Sequence, residues 1–103
     1  MTNHAKLEKM QQLESKHIGL LANCYQYSAR LFYHHIAGHR MDAERAREWL
    51  GGEVDQLVMI TNELNDFLQI HTHEMQRARN QLVERMHSVH EVVAMYKMSI
   101  TLF

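Results

Sequence analysis

The sequence predicts an all-α fold: two long helices folded back on each other as an antiparallel hairpin. Three observations point there. Apolar residues recur at helical spacing along both halves of the chain. No proline interrupts the 103 residues. Adjacent glycines, Gly51-Gly52, stand near the midpoint, where tolerance of positive φ and weak helix propensity favour a turn. The expected single domain, residues 1–103, has a helix over about 5–50, a turn at 50–53 and a helix over about 53–102.

In the first helix, Met10, Leu13, Ile18, Leu21, Tyr25, Ala29, Phe32, Ile36, Ala43, Ala46 and Leu50 form the apolar stripe. Leu20, Cys24, Leu31 and His35 widen it, enough to meet more than one neighbour. Gly19 and Gly38 fall inside it, each costing ~1 kcal/mol relative to Ala. Gly38 opens an alternative: Asp42 caps a separate short helix, Ala43 to Leu50, and Ile36 to Met41 become a connection.

In the second helix, Val54, Leu57, Thr61, Leu64, Leu68, His71, Met75, Ala78 and Leu82 step by three and four. Met86, Val89, Val93, Tyr96, Ile100 and Phe103 continue the stripe after one extra step of four, a stutter that a coiled seam absorbs. This helix would be ~75 Å long at 1.5 Å per residue. Its weakest point is His71-Thr72-His73, which is poor in helix formers. Glu53, Asp55, Glu63 and Asp66 crowd its start, where the macrodipole favours acids. A turn at Gly51-Gly52 would set them beside Arg40, Arg45 and Arg47.

A hairpin two cylinders thick leaves its stripes open, so it must pair. The expected assembly is a four-helix bundle or coiled-coil dimer with Leu21, Phe32, Leu64 and Leu82 inside. Composition excludes several classes of function. Lys and Arg number 11 against 12 acids, with no cationic cluster of the kind that neutralises phosphates, so nucleic acid is not an expected partner. No uncharged stretch approaches the ~20 apolar residues of a membrane span. One cysteine, Cys24, excludes an internal disulfide. The polar N-terminus has no apolar signal core. The chain reads as cytoplasmic, or as exported without a cleaved signal peptide.

The segment Trp49-Leu50-Gly51, flanked by helical stripes of similar length, resembles the small WXG-type helical-hairpin proteins of ESX (type VII) secretion, which carry Trp-x-Gly at the turn. That resemblance implies a dimer forming a four-helix bundle, exported folded or acting as an adaptor for a larger secreted partner. Where that family's export signal places an acid four residues after a tyrosine, Tyr96 is followed by Ile100.

No motif identifies a reaction. Glu14-x-x-His17 and Glu84-x-x-His87 repeat the spacing of carboxylate-bridged di-metal bundles. Glu84 and His87 fall away from the Leu82, Met86, Val89 stripe, and Glu14 and His17 fall near an edge, so no stoichiometric metal is expected. His35 and His39 at i, i+4, with His34 and Asp66 as neighbours, offer a weaker zinc signal, because zinc takes three or four ligands. His71, in the stripe, reads as a hydrogen-bonded core histidine. Cys24 reads as a small core residue rather than a nucleophile, since no oxyanion-forming turn accompanies it. No phosphate-cradling Gly loop is present.

Methionines Met10, Met75 and Met86 fit the core, while Met59, Met95 and Met98 lie off the seam. Met95, Tyr96, Met98, Ile100 and Phe103 would form a wet apolar terminus. Trp49 either staples the turn or anchors a partner. These two groups, a helix length apart in the expected hairpin, are the candidate partner-binding residues. The leading expectation is a non-enzymatic helical protein–protein interaction module of the secretion adaptor or chaperone kind, with no cofactor and no small-molecule ligand. The alternatives are a small regulatory inhibitor that occludes a larger protein and, from another class, a Glu/His metal-carboxylate bundle.

Overall fold

The computed structural model describes residues 2–102 and contains three helices: α1 Asn3–Ile36, α2 Arg40–Ile70 and α3 Gln76–Leu102. The all-helical class stands, but the two-helix hairpin is replaced by an up-down-up bundle measuring 53 × 19 × 15 Å. Phe103 lies outside the described residues.

Helix α1 starts at Thr2, whose hydroxyl accepts the Ala5 N–H at 3.1 Å and so satisfies one orphan donor of the first turn. It ends where Gly38 takes φ 78°, a left-handed conformation glycine adopts without a Cβ clash. Around it the His39 N–H donates to the His34 carbonyl at 2.8 Å and the Gly38 N–H to the His35 carbonyl at 3.2 Å. These two bonds close a Schellman turn, which uses up the last carbonyls of α1. The reversal therefore happens at Ala37–Gly38–His39 and not at Gly51-Gly52.

The expected turn at residues 50–53 is instead the interior of α2. Gly51 is kept for a packing reason. A β-carbon there would lie 2.7 Å from the Tyr96 hydroxyl oxygen and 3.0 Å from Cζ, so the notch lets Tyr96 of α3 close against α2. Gly52 faces open space, with nothing within 4 Å of its built β-carbon. The second connection falls at His71-Thr72-His73-Glu74, the stretch poorest in helix formers. There His71 caps α2, its N–H bonded to the Phe67 carbonyl, and its half-buried ring lies 4.7 Å from that of Phe67. It is a cap residue, not a core histidine.

The third helix covers what a hairpin would leave open. Leu64, Leu82 and Leu21 are 0%, 3% and 8% exposed within one chain, while Phe32 is half-buried. The need for a dimer to bury Leu21, Leu64 and Leu82 disappears, because α3 already does so. On α1 the working seam is Leu13, His17, Leu20, Leu21, Cys24, Ser28 and Leu31, while Ile18, Ala29 and Ile36 turn outward. On α2 the expected stripe from Val54 to Leu68 is buried throughout.

Lys6 pairs with Glu74, in the connection before α3, and His17 with Arg85 of α3, both 68 residues apart. Helices α1 and α3 therefore run parallel in constant register, and the last turn of α1 is level with the last turn of α3. Placing the reversal at Gly38 also puts Arg40, Arg45, Arg47 and the acids Glu53 to Asp66 on one helix rather than on facing ones. Of these, Arg40 meets Glu44 at 4.0 Å, an exposed i, i+4 pair that contributes little.

Candidate functional site

Two histidine-centred arrangements stand out, one sealed in the middle of the bundle and one open at the α1–α2 hinge. The core consists of two apolar clusters. One contains Leu20, Cys24, Leu31, Leu50, Leu57 and Val92; the other contains Leu13, Leu64, Phe67, Leu68 and Leu82. Between them lies a polar layer with one residue from each helix: His17, Thr61 and Arg85. His17 is fully buried, not at an edge.

The hydrogen bonds of this layer fix the state of its imidazole. The Thr61 hydroxyl donates to the Leu57 carbonyl at 2.7 Å, so its oxygen is free to accept from His17 Nε2–H at 2.9 Å. On the other side Arg85 Nε–H donates to His17 Nδ1 at 3.2 Å, which requires an unprotonated Nδ1. The ring is thus neutral with its proton on Nε2. Burial, and then the nearby Arg85 charge, lower its pKa from 6.5 to about 4. Arg85 reaches Glu14 at 3.9 Å through Nη1, while its Nη2 is buried without a hydrogen-bond partner. Glu14 and His17 therefore act together, but as partners of an arginine. Glu84 and His87 are exposed, as their phase implies.

At the hinge, the Schellman turn folds His39 back over the last turn of α1. His39 is the N-cap of α2, yet its side chain makes no capping bond. Its Nδ1 lies 3.1 Å from Nδ1 of His34. Asp42, in the first turn of α2, completes a group whose ligand atoms all lie within 4.8 Å of one another. The Tyr33 ring flanks both imidazoles, with centroids 5.2 and 6.2 Å away. A cavity of about 390 Å³ opens beside the group, lined by His34, His35, Gly38, Arg40, Ala43, Glu44 and Arg47. The histidine that pairs with His39 is His34 rather than His35, and the carboxylate is Asp42. Asp66 sits near the far end of α2.

The residues expected to meet a partner are distributed differently. Trp49 is 51% exposed and lies 5.9 Å from the Tyr27 ring, on the side of α2 turned towards α1. Met98 and Ile100 are exposed, but Met95 and Tyr96 are half-buried and Ser99 is fully buried. The end of α3 is thus half core, not a free apolar tail. Nor is it a helix length from Trp49, because Tyr96 touches Gly51.

Sequence reading missed a groove between α1 and α3, of about 710 Å³, lined on α1 by Leu7, Met10, Gln11, Glu14 and Ile18 and on α3 by Ala78 and Gln81. The spacing of Leu7, Met10, Glu14 and Ile18 carried the signal, a second helical face beside the main stripe. Cys24 is fully buried, and burial, then Glu53, raises its pKa to about 11, so it stays a thiol. Among the described residues, no helix is long and apolar enough to cross a membrane. No protein-family model, no curated protein and no solved structure matches the chain.

Proposed function

We propose that this chain is a non-enzymatic helical interaction module that receives a helix of another protein in the α1–α3 groove. The observation that carries this reading is the groove itself. Helices α1 and α3 run parallel, and between them Leu7 and Ile18 remain 46% and 48% exposed beside Met10. Apolar residues spaced along one helical face suit the i, i+3, i+4, i+7 anchors of an amphipathic partner. Such a helix would complete a four-helix bundle. Glu14, Glu74 and Arg77 edge the groove and supply the polar rim that sets orientation. Cys24 is sealed in the core and stays a thiol. An adaptor or chaperone for a larger protein, or an inhibitor of one, would use the same surface.

The test is site-specific photo-crosslinking from Leu7 and Ile18, followed by reconstitution with the purified partner. Binding should weaken at least roughly tenfold on Leu7→Glu or Ile18→Glu. If Trp49→Ala or Ile100→Ala removes binding while the groove variants leave it intact, the surface lies at the hinge end instead. Sedimentation distinguishes a foreign helix from one of a second copy.

A further inference from the structure

We propose that His34, His39 and Asp42 form a binding site for a divalent transition metal of the zinc class, clamping the α1–α2 hinge and leaving one coordination position open. The argument begins with backbone geometry. In a continuous helix residues five apart lie about 140° apart around the axis, on different faces. The Gly38 reversal cancels that separation and sets the two Nδ1 atoms 3.1 Å apart. In tetrahedral zinc sites with Zn–N near 2.05 Å, two nitrogen ligands lie about 3.3 Å apart. The spacing between the imidazoles is thus close to a shared-metal spacing before any metal arrives.

Asp42 follows His39 by three residues, on the same face of α2, with its oxygen inside the same 4.8 Å group. Among the described residues, none of the three side chains makes a hydrogen bond or ion pair outside the group. His39 makes no capping bond, His34 is engaged with His39, and among the described residues Asp42 makes no ion pair.

Two imidazoles, which are borderline donors, together with one harder carboxylate suit Zn²⁺, Co²⁺, Ni²⁺ or Cu²⁺. Calcium and magnesium require more oxygens than the group offers. Three protein ligands leave the fourth position for water or for a donor from a docked molecule, as in open zinc sites. His34 lines one cavity together with Arg40, Glu44 and Arg47, and His34 and Asp42 line another together with Arg30, Arg45 and Trp49. Binding replaces the proton shared by the two Nδ1 atoms, so metal and proton compete for the same place. The arginines around the cavity oppose a cation, which sets the expected Kd on the order of micromolar rather than tighter.

The experiment is titration of the untagged full chain with Zn²⁺ by calorimetry, with Co²⁺ as an optical probe. The expected result is one ion per chain and a visible Co²⁺ spectrum of tetrahedral intensity. Affinity should fall roughly tenfold or more in His34→Ala and His39→Ala, and should also fall in Asp42→Asn. His73→Ala and His90→Ala, both exposed and away from the hinge, should bind as the natural chain does. Because the three ligand residues are half-buried or exposed, each variant should keep its helicity, which circular dichroism checks. Zn²⁺ should raise the thermal midpoint of the natural chain and not that of His39→Ala. No binding at tens of micromolar Zn²⁺, or binding unchanged in the His34→Ala/His39→Ala double variant, overturns the proposal.

Discussion

His17 and the His34–His39 pair are the same side chain placed in opposite physical settings. His17 is fully buried, and each ring nitrogen has one partner. Its chemistry is spent on holding three helices in register. If one helix slid by a turn, Arg85 and Thr61 would face apolar side chains, and a buried polar group without a partner is costly. His34 of the hinge pair lines a surface cavity, and among the described residues each of the two rings hydrogen-bonds only to the other. Polar groups that the fold does not need are the ones left to meet a ligand. Whether a histidine is structural or functional thus depends on how many of its nitrogens the fold has already engaged.

The largest expected effect lies on the buried side of this comparison. His17→Ala removes a fully buried ring and strands the Arg85 Nε–H and the Thr61 oxygen, so it should destabilise by about 3 kcal/mol. Urea unfolding measures this; a loss no larger than that of a surface substitution would mean that the layer does not hold the bundle. Gly51→Ala is next. The new β-carbon would press on the Tyr96 ring, and overpacking should outweigh the gain in helix propensity, for a net loss of about 1 kcal/mol or more.

The pH dependence follows from His17. The unfolded imidazole takes its proton near pH 6.5 and the folded one near 4. Between those values the unfolded state holds more protons, so acid favours unfolding. The associated stability is complete above about pH 6.5 and is lost as the pH falls towards 4. Lowering the pH from 7.5 to 5.5 should cost about 1 kcal/mol, measured by urea unfolding at each pH. His17→Leu should lose this part of the slope.

Two smaller effects sharpen the contrast. Gly52→Ala, one residue from the notch but facing open space, should stabilise by up to ~1 kcal/mol. Opposite signs at Gly51 and Gly52 would establish the Tyr96 contact by thermal unfolding alone. In metal-free buffer, His34→Ala and His39→Ala should change stability by no more than ~0.5 kcal/mol. A large loss there would place the hinge pair with the structural histidines.

Helix periodicity made the all-α class and most of the core legible in the sequence. The stripe from Val54 to Leu68 is buried as its spacing implies, and Met75, just before α3, and Ala78 and Leu82 on α3 extend it. The number of helices was not legible, because glycine signals two different things. At Gly38 it supplies a positive φ; at Gly51 it makes room for a ring from a residue 45 positions away in the chain. Adjacent glycines carry the stronger break signal, yet Gly51 answers to long-range packing and Gly52 faces open space. The Asp42 alternative located the break between Ile36 and Met41, yet α2 runs on from Arg40 through Leu50 to Ile70.

The polar layer was within reach. His17 lies four residues from both Leu13 and Leu21, and Arg85 lies between Leu82 and Val89 at steps of three and four. Tracing the stripes through Leu13, Ile18 and Leu21 and through Leu82 and Met86 passes over both. The hinge group was only half legible, since i, i+4 spacing favoured His35 with His39. The turn that instead brings His34 to His39 exists only once Gly38 is recognised as a helix terminator.

The comparison is tested most directly by nitrogen-detected NMR of the histidine rings, recorded across pH and on addition of Zn²⁺. His17 should remain a neutral Nε2–H tautomer from pH 7.5 to 5.5 and should not respond to zinc. The Nδ1 signals of His34 and His39 should shift together at one equivalent of Zn²⁺. A His17 ring that titrates near pH 6.5, or hinge rings indifferent to zinc, would contradict the division of labour between the two sites.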